Sequence, residues 1–292
     1  MLRTRLWMGF ILVALTLTFV FLDHGYLPSL PLFGALVAVV AVFAVIELRG
    51  MLPLVLRPHI VLSILGVEAV LCGNWLWTYL PAFLAFRSSW QCVATLYIAV
   101  LAVAVLVEMA VFHGPDNVIS RLAGLTFIMT YLGLLPFFLI QLRWLHSLGI
   151  DPGSHEAHAA LLVAIFGPKV GDIGAYFVGR QWGKRPMAPV LSPKKTLEGA
   201  AGGILAAAVF VLLVQLFVPI AAGGRSASGI FSALLLGAVL GLVGIFGDLT
   251  ESLLKRDSGC KDASQTLPGF GGILDVIDSI LFAAPVVYWW LA

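Results

Sequence analysis

Charge is scarce in this chain: Asp, Glu, Lys and Arg together make up 11% of its 292 residues. That is less than half the share of an ordinary soluble domain, so a conventional solvated surface is excluded. Cysteine is scarcer still. Cys72, Cys92 and Cys260 are odd in number and form no CxxC pair, so neither a disulfide framework nor a thiolate metal centre is implied. Also missing are GxxxxGK[ST] and any GxGxxG following a strand, so a nucleotide would be held by neither a P-loop nor a Rossmann turn. No nucleic-acid module, internal repeat or low-complexity tail is present, and a net charge of +2 singles out no partner.

What fills the chain instead is apolar. Hydrophobic residues reach 61% and the mean hydropathy is +1.04. Most apolar blocks are about twenty residues long, the length that crosses a hydrocarbon core at ~1.5 Å per helical residue. The predicted fold class is therefore all-α, a polytopic integral membrane protein of about nine transmembrane helices. The spans lie near 6–22, 29–48, 59–79, 92–113, 121–141, 157–179, 199–220, 229–247 and 272–291. Pro81 and the apolar run to Phe86 extend the third span or form an interfacial segment. Arg3 and Arg5 precede the first, which lacks a small-residue cleavage site before Asp23 and is expected to remain as an uncleaved helix.

Alternating the loops from the N-terminus places thirteen of the 17 Lys and Arg on one side, against Arg87, Arg143 and Arg225 on the other. The positive-inside rule then sets the N-terminus and both Lys/Arg-rich loops in the cytoplasm. Two regions are expected. Residues 1–150 hold about five mostly structural, lipid-facing helices. Residues 151–292 hold about four helices plus cytoplasmic loops and form the catalytic region.

In the first region, Glu68 and Glu108 fall inside predicted spans and Asn74 near the end of one. An intramembrane carboxyl marks a cavity or is a paired or protonated interior group. The second region carries three polar islands. In Lys169-Val-Gly-Asp172, the lysine and aspartate are three apart and share a helix face, with Gly171, Gly174 and Gly179 allowing close approach. In Leu191-Ser-Pro-Lys-Lys-Thr-Leu-Glu-Gly199, Ser192 is placed to cap a helix and Pro193 to occupy its first position. A helix N-terminus with two lysines and two hydroxyls suits phosphate. The third island runs from Asp248 to Asp278. Asp248, Glu251 and Lys255 fall at i, i+3 and i+7 on a helix continuing past the eighth span. Pro268-Gly-Phe-Gly-Gly272 is a turn whose amides could approach phosphate oxygens, and Asp275 and Asp278 stand three apart beyond it. Carboxylates converging with cations are what a triphosphate–Mg²⁺ complex demands: hard oxygen ligands for the metal, ammonium or guanidinium for the phosphates.

These islands resemble the phosphatidate cytidylyltransferases (CDP-diacylglycerol synthases). The run from Ser252 to Asp278 matches that family's S-x-x-K-R-x4-K-D, PGHGG and D-R-x-D elements. GDIGAYFVGR with WGKR, SPKKTLEG and GDLTESLLKR match its upstream motifs. The resemblance covers roughly Lys169 to Ser279, and the amino-terminal half agrees in architecture only. Phe270 stands where the family has histidine, and Val276 where it has the arginine of its DR pair.

The resemblance implies transfer of CMP from CTP to phosphatidic acid in the bilayer, giving CDP-diacylglycerol and pyrophosphate. It also implies a Mg²⁺ cofactor, with room for a second cation, and a homodimer. Metal ligands would be Asp248 and Asp275, with Asp278 and Asp262 as further candidates. Lys255, Arg256 and Lys261 would neutralise triphosphate or lipid phosphate. Ser192, Lys194, Lys195, Thr196 and Glu198 would belong to the CTP-binding loop, and Asp172 would orient nucleotide or metal. A prokaryotic inner membrane is the expected location. The rival readings are another CTP-using lipid enzyme, namely a polyprenol kinase or an archaeol-type cytidylyltransferase, a silent lipid-binding relative, and an ion-coupled transporter. The transporter would show paired broken helices related by an internal repeat, and no such halves appear.

Overall fold

The computed structural model describes residues 2–25, 32–79, 86, 88–114, 116–143, 154–220, 224–260, 263–264, 266–267 and 271–292. Pro81, Lys261, Asp262 and Phe270, singled out above, lie outside the described residues. The chain divides into two units, Met1–Ile140 with Asp262–Leu274, and Gln141–Lys261 with Asp275–Ala292.

The first unit is built from α1 (Leu2–Gly25), α2 (Leu32–Met51), a 3₁₀ turn (Leu54–Leu56), α3 (Ile60–Tyr79), α4 (Ser89–Ala110) and α5 (Val118–Gln141). Ser88 caps α4 by accepting from the Gln91 amide at 3.2 Å. Small residues let these helices approach closely. A Cβ on Gly66 would meet Met129 and Val100, and one on Gly73 would meet Val93, so α3 packs against α4 antiparallel and against α5. α5 contains one π turn, Thr130–Leu134, just ahead of Pro136. Proline has no amide for the carbonyl four residues back, and the ladder widens there so that Leu135 N reaches Thr130 O. Glu108 is one of the intramembrane carboxyls read from sequence. It takes Arg121 in a two-pronged bond of 2.9 and 2.6 Å, and Arg121 also holds Asp116 at 2.7 Å. A structural ion pair is the chemistry of that site.

The second unit contains α6 (His155–Trp182), a hairpin of β1 (Pro186–Ala188) and β2 (Ser192–Thr196), α7 (Leu197–Phe217), α8 (Ala227–Asp257) and, from Asp275 onward, α9 (Leu274–Leu291), whose first residue belongs to the first unit. The hairpin corrects the expectation that Ser192 and Pro193 begin a helix. Residues 192–196 pair antiparallel with β1. The helix starts four residues later, where the Thr196 hydroxyl oxygen accepts from Gly199 N at 3.1 Å. Glu198 completes the turn by accepting from the Lys184 and Arg185 amides at 3.0 and 3.1 Å. The capping chemistry was legible, and its position was not, because cross-strand pairing competes for the same residues.

The chain is an all-α, polytopic membrane protein with this small hairpin as its exception. Among the described residues, seven helices are long and apolar enough to cross a membrane; α1 and α3 carry shorter apolar stretches, Trp7–Val20 and Ile60–Gly73. In the second unit the helices meet backbone to backbone. A Cβ on Gly237 would fall 2.5 Å from Ala208 Cα and 2.7 Å from Ala207 O, and one on Gly241 would fall 2.7 Å from Ile204 Cα. Backbone cannot yield as a side-chain tip can. Gly237→Leu is therefore expected to destabilise the detergent-solubilised protein by about 3 kcal/mol or more. Gly50→Leu, where a Cβ meets nothing within 4 Å, should leave the thermal midpoint unchanged.

Candidate active site

α8 is 31 residues long and outlasts its apolar stretch. Its last turns carry Asp248, Glu251 and Lys255 on one face, as their spacing requires. Gly247 lets that face meet α9. A Cβ there would sit 2.5 Å from Asp278 O and 2.9 Å from Ser279 Cα, so any side chain would push the two helices apart. Phe246 stacks edge-on against Phe282 at 5.1 Å, and Trp290 reaches Ser232, which fixes the pair as antiparallel.

This approach gathers three carboxyl groups. Oxygens of Asp248, Glu251 and Asp278 all lie within 4.8 Å of one another. Around them stand three lysines. Lys255 Nζ sits between Glu251 Oε2 at 2.8 Å and Asp275 Oδ1 at 2.6 Å. Lys169, from α6, donates to Asp278 Oδ1 at 3.0 Å and lies 3.8 Å from Asp172. Lys195, from β2, pairs with Asp248. The Ser279 amide also donates to Asp278 Oδ1, at 2.6 Å, and fixes that carboxylate's orientation.

Three ammonium groups thus face five carboxylates within this cluster, a formal excess of two negative charges. The most buried of the five carries the clearest vacancy in hydrogen bonding. Glu251 is 1% exposed, and its Oε1 is buried with no hydrogen-bond partner. A buried, unpaired carboxylate oxygen is costly unless something cationic meets it. An all-oxygen donor set suits a hard divalent ion and gives a soft metal nothing to prefer. The residues present therefore fit such an ion.

The structure brings together Asp172, Lys195, Asp248, Lys255, Asp275 and Asp278 from the residues read in sequence. Arg256 lies beside the hairpin, with Nε 3.4 Å from Leu191 O. Lys194 is exposed and Ser192 half-buried on β2. Thr196 and Glu198 hold the hairpin and the start of α7. Glu251 was visible beforehand only as one member of a helix face. Its i, i+3 spacing from Asp248 was the available signal.

Of the glycine turn, which belongs to the first unit, Pro268, Gly269 and Phe270 lie outside the described residues, and Gly271 departs from expectation. Gly271 has φ +99°, open to glycine and strained for other residues. Its amide donates to Leu267 O at 3.1 Å, and its carbonyl accepts from Leu267 N at 2.8 Å. That amide closes the turn on itself and does not point at a phosphate.

A membrane-embedded nucleotidyltransferase is the class that this fold and site define. The chain belongs to the cytidylyltransferase family, whose model matches residues 3–292. It is similar to the phosphatidate cytidylyltransferase of Bacillus subtilis, at 33% identity over 276 residues, 89% of this chain and 95% of that one. It is likewise similar to that of Haemophilus influenzae, at 31% over 292 residues, 98% and 96% of the two chains. The Helicobacter pylori phosphatidate cytidylyltransferase is 46% identical over 113 residues, 39% of this chain and 40% of that one.

Removing one member of a buried pair should cost more than removing both. Lys169→Met leaves Asp278, 4% exposed, without its ammonium and is expected to destabilise by about 3–5 kcal/mol. Lys169→Met combined with Asp278→Asn should recover most of that loss. The check is a double-mutant cycle of unfolding free energies in detergent.

Proposed function

We propose that this chain transfers CMP from CTP to phosphatidate, forming CDP-diacylglycerol and releasing pyrophosphate. The observation that supports this most is the carboxylate-rich, lysine-bounded cluster with its unpartnered Glu251 oxygen, in a chain of the cytidylyltransferase family. The bond that forms joins a phosphatidate phosphate oxygen to the CTP α-phosphorus. The bond that breaks joins that phosphorus to the bridging oxygen of the β-phosphate. The attacking oxygen is already anionic near neutral pH, so no general base is required. The obstacle is bringing one anion up to another, and catalysis is positioning and charge neutralisation.

Asp248, Glu251 and Asp278 would hold Mg²⁺. The sequence-based set had Asp275 in place of Glu251; the convergence of Glu251 with Asp248 and Asp278 favours Glu251 as the ligand, with Asp275 holding the Lys255 ammonium. When bound, the ion supplies charge neutralisation at phosphate oxygens. Lys255, Arg256 and Lys261 offer cations to the triphosphate or the lipid phosphate. Ser192, Lys194, Lys195 and Thr196 present donors from the hairpin to the CTP phosphates, and Glu198 keeps that hairpin in register. Asp172 steadies Lys169. Asp262 remains a candidate for a second cation. CTP is a cytoplasmic substrate and phosphatidate carries its head group at the interface. A prokaryotic inner membrane with the N-terminus and these loops cytoplasmic meets both, as the Lys/Arg distribution suggests. On this reading residues 151–292 form the catalytic region.

Purified protein reconstituted with phosphatidate and Mg²⁺ is expected to carry radiolabel from [α-³²P]CTP into the lipid phase and none from [γ-³²P]CTP. Asp248→Asn and Asp278→Asn should each lower the rate about 10²–10³-fold or more. Transfer of the γ label would show a kinase and contradict the proposal. So would α label that enters a lipid alcohol but not phosphatidate.

A further inference from the structure

Glu47 lies near the end of α2, where an isolated carboxylate would be costly beside a bilayer. It is 7% exposed and receives four hydrogen bonds. Ser264 Oγ donates to Oε1 at 2.5 Å, Thr266 Oγ1 to Oε1 at 2.9 Å, Ile273 N to Oε1 at 3.1 Å and Leu274 N to Oε2 at 2.9 Å. The two hydroxyl oxygens lie 2.7 Å apart, so either proton can go to the neighbouring hydroxyl in place of the carboxylate, and Ser264 Oγ accepts from Thr266 N at 3.1 Å. One carboxylate therefore gathers both ends of a loop more than two hundred residues away in sequence, as the separations of 217 to 227 show.

The donors reveal its purpose. Leu274 is the first residue of α9 and Ile273 the residue before it. Helix N-terminal amides have no partner within their own helix, and a carboxylate there both accepts from them and opposes the helix dipole. The residue after Leu274 is Asp275, and one turn further along the same helix is Asp278. Space for the carboxylate comes from Gly272, where a Cβ would sit 2.5 Å from Glu47 Oε2 and 3.0 Å from Ala263 Cβ. The final glycine of the turn thus makes room for Glu47.

We propose that Glu47 is a positioning residue for the transfer reaction: within its own unit it holds Ser264, Thr266 and the amides of Ile273 and Leu274, and so fixes the backbone from which Asp275 and Asp278 follow in the chain. The inference rests on the reading that these aspartates serve the reaction. Its reach is geometric, since a displacement of about 1 Å in a catalytic group can lower a rate ~100-fold.

The test uses the full-length reconstituted protein with Glu47→Gln, Glu47→Ala, Gly272→Ala and the milder double variant Ser264→Ala/Thr266→Ala. Three quantities are read: hydrogen exchange of amides 271–274, kcat and KM for CTP, and Mn²⁺ affinity without nucleotide. Glutamine supplies one acceptor oxygen where the carboxylate supplies two. Glu47→Gln should therefore speed exchange at 273–274 about tenfold or more while exchange in α6 and α7 stays unchanged. Its kcat should fall ~100-fold with KM for CTP little moved, the mark of an interaction lost in the transition state. Gly272→Ala should reproduce this with Glu47 intact, and the double hydroxyl variant should fall between. Unchanged exchange at 273–274 would overturn the anchor. Faster exchange with wild-type kcat and Mn²⁺ affinity would overturn the positioning role. A wild type inert toward phosphatidate would contradict the substrate reading alone. In that case a Mn²⁺ affinity weakened by Glu47→Gln still supports the anchor, and an unaltered affinity overturns it.

Discussion

Lys169 and Lys255 each stand between two carboxylates, and in both cases one of the two comes from α9. Lys169 joins Asp172 on its own helix to Asp278, and Lys255 joins Glu251 on its own helix to Asp275. A charge taken out of water is tolerated only with a close counter-charge, so each lysine ties α9 to another helix. Lys195 adds the hairpin to the same network through Asp248. Carboxylates outnumber the lysines in this network, and oxygens of Asp248, Glu251 and Asp278 converge within 4.8 Å of one another.

The close packing of the second unit serves that arrangement. Side chains on α8 and α9 would keep the carboxylates several ångströms further apart, and Gly247 removes the obstacle at the level of Asp278. Gly237 and Gly241 do the same against α7. Helices that touch at their backbones have little freedom to slide, and reacting phosphates need fixed charges more than mobile ones. The site draws on the middle of α6, the last turns of α8, the start of α9 and one short hairpin.

Much of this was legible in the sequence because charge is so sparse here. When nearly every other residue is apolar, the few acids and bases that persist mark the site, and helical spacing assigned Asp248, Glu251 and Lys255 to one face. The hairpin was not legible, since Ser-Pro-Lys-Lys-Thr reads equally well as a helix start. Its strand character comes from pairing with Pro186–Ala188. The division of labour between Asp275 and Glu251 was also hidden, because it depends on which carboxylates of α8 and α9 converge in space. Glu47 was the least visible. Nothing local distinguishes a glutamate near the end of an apolar helix from an interfacial one, and its four donors lie beyond residue 263.

The central claim is that the converging oxygens of Asp248, Glu251 and Asp278, with Glu251 Oε1 unpartnered, form a cation site. Titration of the nucleotide-free protein with Mn²⁺, followed by electron paramagnetic resonance, tests this without reference to substrate. The account predicts one saturable Mn²⁺ site per chain, competed by Mg²⁺ and weakened at least tenfold by Glu251→Gln. No saturable binding, or binding that Glu251→Gln leaves unaltered, would contradict it.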